Sequence, residues 1–233
     1  MKAIRMTAGD AGRARLRLEE ALAQYRVEFL PQHPKVEKAQ FPSLIDLYWD
    51  LTGPLSAPPP TQEVFATHVY SLAGIPDPGG VRARAYKAWA AFVRQHHFEL
   101  VLRAHFPLVL RGQMLDLEGL DFVLVEDGCA YALALSVRTG AAQEWAAVKR
   151  RRHPLPYGLP LRELSLDLDD CLSLPTAPRA LALHRPEQVD EVRNWIREVA
   201  AQRREAMLSD AEHPRRRTAV KLVAEASAGP YTP

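Results

Sequence analysis

The sequence predicts an α+β protein with a helical N-terminal half and a mixed sheet flanked by helices in the second half. Three observations predict it. Apolar residues recur at three- and four-residue steps through most of the first hundred positions. Strict alternation then replaces that period on either side of Glu126-Asp127-Gly128, a hairpin turn signal. After the hairpin the order is helix, strand, strand, helix, which is the order of a sheet covered by helices.

The first helix is expected from Asp10 to about Val27, where Leu16, Ala21, Leu22 and Tyr25 sit between charges. Pro31, Pro34 and Pro42 break the chain, and Leu44, Ile45, Leu47, Tyr48 and Leu51 then return to helical spacing within Phe41–Leu51. Leu55–Pro60 is a proline-rich connection. Thr61, followed by Glu63, caps a helix reaching Leu72, and Pro76–Gly80 is a loop. The longest helix runs from Val81 to Ala104, with Tyr86, Trp89, Ala90, Val93, His97, Leu100 and Val101 at its apolar steps. Adjacent His96 and His97 point to different faces, so one is expected to pack and the other to meet solvent. Strands follow at Leu120–Glu126 and Cys129–Val137, then a basic helix from Gly140 to Arg152 that stops at His153-Pro154. Leu161–Leu168 and Arg179–His184 read as strands, and Pro186 opens a helix to about Leu208. Three regions result: a helical region over 1–79, a core over 80–208 and a loosely ordered polar tail over 209–233.

Composition excludes several classes. With 233 residues, 47% hydrophobic and 25% charged, the chain is neither disordered, collagen-like nor a disulfide miniprotein, and it is long enough to bury a full core. Its apolar runs, such as that at about Tyr131–Val137, are far below the roughly 18–20 residues of a membrane span, so no membrane association is expected. Cys129 and Cys171 stand alone in their segments, and Met1–Arg5 offers no apolar leader, so a cytoplasmic location is expected. The net charge of +2 does not itself predict nucleic acid; local Arg clusters do the arguing instead. Those clusters are Arg82/Arg84/Lys87, Lys149–Arg152 and Arg215–Arg217. No phosphate loop, dinucleotide fingerprint, nucleophile elbow or zincin motif occurs.

The segment richest in chemistry is Leu115-Asp116-Leu117-Glu118-Gly119-Leu120-Asp121, at the mouth of the first hairpin strand. Asp116 and Asp121 can converge on one Mg²⁺, whose preference is for oxygen ligands. The metal would polarise a phosphodiester and lower the pKa of an attacking water. Read as ordinary turn chemistry, Asp116 caps a turn and Asp121 starts a strand from solvent.

Together with Ala83-Arg84-Ala85-Tyr86-Lys87 in the long helix, and the hairpin Phe122–Thr139 with its basic helix behind, this segment resembles the restriction-endonuclease-like, PD-(D/E)xK superfamily. The likeness is to TaqI-like restriction endonucleases and covers about Arg82–His153. The resemblance implies a restriction-endonuclease-like core: a mixed sheet with a β-hairpin, flanked by helices. It implies that Asp116 and Asp121 bind Mg²⁺ or Mn²⁺ and that a lysine on the second hairpin strand completes the site. That strand departs from the pattern. Alternation puts Ala134, Ser136 and Arg138 on one face and Leu133, Leu135 and Val137 on the other, with neither the acid nor the lysine.

Arg138 suits a phosphate clamp but cannot act as a base. Lys149 on the next helix is the alternative cation, and Lys149, Arg150, Arg151 and Arg152 are the expected phosphate contacts. The plainer reading of that cluster is a solvated helix end. Glu99 is a candidate third metal ligand, against the reading of an exposed i,i+4 pair with Arg103. The expected function is a DNA-acting protein of defence or a mobile element, a Mg²⁺-dependent phosphodiesterase if active. By analogy of fold it would be a homodimer or part of a larger complex. Two alternatives stand beside it: a non-catalytic nuclease-fold subunit that binds DNA or proteins, and a helical interaction protein.

Overall fold

The computed structural model describes residues 2–3, 6–30, 43–53, 55–73, 78–111, 115, 120–138, 158–175 and 181–209. In chain order the elements are β1 Lys2–Ala3, α1 Ala8–Gln24, α2 Leu44–Thr52, α3 Gln62–Ala73, α4 Pro78–Arg103, β2 Leu108–Arg111, β3 Phe122–Glu126, β4 Cys129–Val137, β5 Leu161–Leu166, β6 Leu172–Leu174, β7 Leu181–Leu183 and α5 Gln188–Ser209. The fold is α+β. Two compact units account for it, residues 6–104 with 168–185 and residues 1–5 with 105–167 and 186–233. The long helix α4 therefore belongs with the helices that precede it, whereas the sequence reading grouped 80–208 as one core. The polar tail expected beyond Leu208 and the helix expected over Gly140–Arg152 lie outside the described residues, apart from Ser209 at the end of α5.

In the helical unit, Thr7 caps α1 by accepting the Asp10 N–H at 3.1 Å, and Asp10 in the first turn complements the helix dipole. Ala11, Ala14, Leu18 and Leu22 form the buried stripe of α1, and this stripe faces α4. α4 packs against α1, α2, α3 and the hairpin strand β7, so it is buried around most of its circumference. That is why His96 and His97 are both fully buried, where one was expected in solvent. His96 is held by Tyr48 Oη at 3.3 Å and the Leu55 carbonyl at 3.0 Å. The β6–β7 hairpin joins this unit through Arg94, whose Nε donates to the Ala182 carbonyl at 2.9 Å.

His97 makes an acid-sensitive polar contact between α1 and α4. Its Nε2 lies 2.7 Å from Glu19 Oε1, and its Nδ1 is buried without a hydrogen-bond partner. Burial holds the imidazole pKa below its ordinary value, against the pull of Glu19. For Glu19 burial opposes ionisation, but the His97 contact and Arg15 outweigh it and the carboxyl pKa is lowered. The imidazole thus binds protons more readily in the unfolded chain, so stability present above about pH 6.5 is lost as pH falls below it. Glu19 adds loss in the same direction at lower pH. Stability against thermal unfolding should therefore fall on acidification from about pH 7.5 to 5.5, by at most about 1.4 kcal/mol per pH unit for one proton. His97→Gln should flatten that dependence; an unchanged slope would assign it to other groups.

The sheet unit is a five-stranded sheet in the order β1-β2-β3-β4-β5. β1 to β4 pair antiparallel, and β5 runs parallel to β4. Parallel neighbours need a crossover, and residues 138–160 separate β4 from β5 in the sequence. The β3–β4 hairpin turns through Asp127 and Gly128, at φ 49° and 72°, the positive values of a two-residue primed turn. The predicted strand Cys129–Val137 is β4. One face of the sheet buries Leu110, Val123, Ala130 and Ala132 with Leu115 and Leu120. On the other face Tyr131 meets Trp195 of α5 at 5.8 Å between ring centroids, and the Arg203 guanidinium lies 5.5 Å from the Tyr131 ring. Among the described residues no helix is long and apolar enough to cross a membrane.

Candidate functional site

Asp121 stands one residue before β3, and two hydrogen bonds place it against β4. Its N–H donates to the Leu133 carbonyl at 3.0 Å, and its carboxylate Oδ2 accepts the Leu135 N–H at 2.6 Å. The side chain thereby stands in for a backbone carbonyl and extends the ladder one step past the last strand pair. The approach to it is also fixed: Leu120 donates its N–H to the Leu115 carbonyl at 2.8 Å, and both leucines are buried.

The two bonds of Asp121 bracket Ala134, and the β4–β5 register puts Glu163 beside Ala134 on the far side. Asp121 and Glu163 therefore flank one alanine, about 10 Å apart by main chain across two strand spacings. Ala134 has no side chain long enough to separate them. The next steps along the parallel pair are also polar. Ser136 and Ser165 are register partners, with Oγ atoms 3.2 Å apart. Arg138 N–H then donates to the Leu166 carbonyl at 2.8 Å, and Arg138 Nη1 lies 3.1 Å from Asp167 Oδ2. Because β4 and β5 are parallel while β3 is antiparallel, the start of β3 and the ends of β4 and β5 point to the same side of the sheet, with β3 starting opposite Leu133, four residues before β4 ends. Toward this end of the sheet Asp121 and Glu163 lie level with Ala134, Ser136 and Ser165 two residues beyond them, and Arg138 and Asp167 two residues beyond those.

Of the residues singled out from sequence, Asp121 and Arg138 occur at this end of the sheet. Asp116, Lys149, Arg150, Arg151 and Arg152 lie outside the described residues. Glu99 belongs to the helical unit. It pairs with Arg103 as the plainer reading expected, but the pair is buried rather than exposed: Arg103 Nε and Nη2 donate to Glu99 Oε1 at 2.8 and 2.6 Å, with side-chain exposures of 4% for Arg103 and 0% for Glu99. The reason is the setting of this last turn of α4, where Phe98, Leu100, Val101 and Leu102 are all buried. Arg82, read as part of a basic cluster, is engaged by Glu63 at 2.7 Å and by the Tyr86 hydroxyl. Tyr86 donates in turn to Glu63.

Glu163 was missed from the sequence. Its signal is the alternation of Leu161-Arg162-Glu163-Leu164-Ser165-Leu166-Asp167, which separates Glu163, Ser165 and Asp167 from Arg162, Leu164 and Leu166. The identity of the neighbouring strand is what gives that polar face meaning. Carboxylate oxygens are the hard donors that Mg²⁺ and Mn²⁺ take, so Asp121 and Glu163 are the described residues here that suit such an ion. Among the described residues no group of three or more His, Cys, Asp or Glu is placed to hold a metal. No family model, curated protein or solved structure matches the chain.

Proposed function

We propose that the sheet unit is a restriction-endonuclease-like core acting on DNA, with Asp121 at the centre of a Mg²⁺- or Mn²⁺-dependent phosphodiesterase site. The observation that carries this reading is the Asp121 carboxylate, fixed on the Leu135 N–H at the sheet end where Ser136 and Arg138 also emerge. The mixed sheet supports it, with a hairpin at its centre and a parallel strand beyond. Asp116 is the second carboxylate in this proposal, and Glu163 on β5 supplies the acid that β4 lacks. When bound, the ion would polarise the scissile phosphate and acidify the attacking water. Asp121 holds its carboxylate at a set position because a backbone N–H anchors it. Arg138 presents a planar, permanently charged fork to a phosphate. Lys149–Arg152 take neighbouring phosphates and, with Arg138, offset the charge of the acidic groups.

A second reading has its own observation. The β4 face is Ala134, Ser136 and Arg138, without a lysine, and the Asp121 carboxylate already serves the ladder. Both are what a non-catalytic, DNA-binding descendant would show. The purified full chain with supercoiled and linear DNA separates the two. The catalytic reading expects cutting with Mg²⁺ or Mn²⁺, its arrest by a chelator, and calorimetric binding of the ion. Salt-dependent DNA binding with no metal binding and no cutting would leave the descendant reading. Absence of DNA binding at low salt would remove both.

A further inference from the structure

We propose that the successive polar pairs Ser136/Ser165 and Arg138/Asp167 form the seat of a nucleic-acid phosphate, and that Asp167 occupies Arg138 until the phosphate displaces it. The inference rests on the DNA-acting reading and specifies where the backbone sits. The two pairs are consecutive on one face of the parallel strands: Ser136 is the register partner of Ser165, and the Arg138 N–H to Leu166 carbonyl bond carries the same pairing forward. The serine hydroxyls lie 3.2 Å apart, so one donates to the other and the second hydroxyl hydrogen remains to be directed elsewhere. Arg138 engages Asp167 through Nη1 at 3.1 Å, with side-chain exposures of 64% and 38%. Hydroxyl and guanidinium donors side by side match the oxygens of a phosphodiester. A carboxylate and a phosphate are rivals for one guanidinium, and an exposed ion pair is weak enough to yield.

The geometry also separates this seat from the carboxylates. Asp121 and Glu163 flank Ala134, two residues earlier on β4, so the phosphate would lie beside the acidic groups rather than on them. Asp167 is then a negative residue whose removal strengthens binding, and only through Arg138.

A double-mutant cycle tests this on the full chain with a short fluorescent DNA duplex, at low salt with a chelator present. Asp167→Asn should bind about two- to fivefold tighter than the wild type, the range of one exposed ion pair. Arg138→Ala should bind more weakly and lower the salt slope by about one phosphate's worth. In the Arg138→Ala background, Asp167→Asn should give no gain. Ser136→Ala with Ser165→Ala should weaken binding while leaving the circular dichroism spectrum unchanged. A gain from Asp167→Asn that persists without Arg138 would reduce Asp167 to bulk charge and overturn the proposal. Wild-type binding with all these variants indistinguishable from it would overturn the seat alone. No binding by any variant would overturn the DNA-acting reading and the seat with it.

Discussion

Asp121→Asn is expected to abolish metal-dependent cutting while leaving the fold intact. The amide keeps an oxygen to accept the Leu135 N–H, which the carboxylate now accepts at 2.6 Å, and removes the charge that would hold a divalent ion. Loss of groups that merely orient a metal ligand costs about 10–100-fold, so loss of the ligand itself should cost at least that. DNA binding should persist or tighten, because a negative charge near the phosphates disappears. Asp121→Ala is the less informative change. It strips the acceptor from Leu135 N–H at the sheet end, a cost of about 1–3 kcal/mol in stability whether or not a metal binds. If the Ala variant loses stability while the Asn variant keeps it and still cuts, Asp121 is a ladder cap and no more.

Arg103→Met is expected to cost about 3–5 kcal/mol, measured by denaturant unfolding, because it removes the guanidinium whose two N–H groups donate to Glu99 Oε1 in a buried site. Glu99→Leu combined with Arg103→Met should recover most of that loss, since apolar replacements of a buried pair are often neutral or stabilising. A double variant as unstable as Arg103→Met alone would show that the loss does not come from Glu99. The same residue carries the third-ligand expectation. Glu99→Gln retains an oxygen for Arg103, so an unchanged Mg²⁺ affinity in that variant would remove Glu99 from the metal set.

Much of the fold was legible where a local signal is strong. Asp127-Gly128 between alternating flanks identifies the hairpin, because few sequences accept two consecutive positive φ values. The long apolar repeat through Trp89 and Val93 identifies α4 by its period, and α1 was found as a helix, but its buried stripe is Ala11, Ala14, Leu18 and Leu22, while Leu16, which the sequence put among its apolar positions, is exposed. The short strands were harder. β2 is four residues, Leu108–Arg111, and β6 is three, Leu172–Leu174, too few to establish a period of two. Their existence depends on partners distant in sequence, Val123–Val125 and Leu181–Leu183. Burial of both histidines was out of reach: the period puts His97 at an apolar step of α4, but only packing brings Tyr48 and Leu55 to His96 and Glu19 to His97. At the candidate site, Asp121 and Arg138 were visible as residue types in place. Glu163 was not, because its relevance comes from β5 lying parallel beside β4.

The Asp127-Gly128 turn acts on the site from the opposite end of the hairpin. By pairing Glu126 with Cys129 it sets every later rung, down to Phe122 with Leu133. The hairpin is therefore a ruler whose zero mark is the turn and whose reading is taken at Asp121. One residue inserted at Asp127 would leave two good strands, but it could offset the ruler by one mark. Asp121 would then address a different pair of backbone groups, and Ala134 would no longer lie between it and Glu163. Two-residue brevity at the turn is thus as much a condition of the chemistry proposed at the far end as the carboxylates themselves.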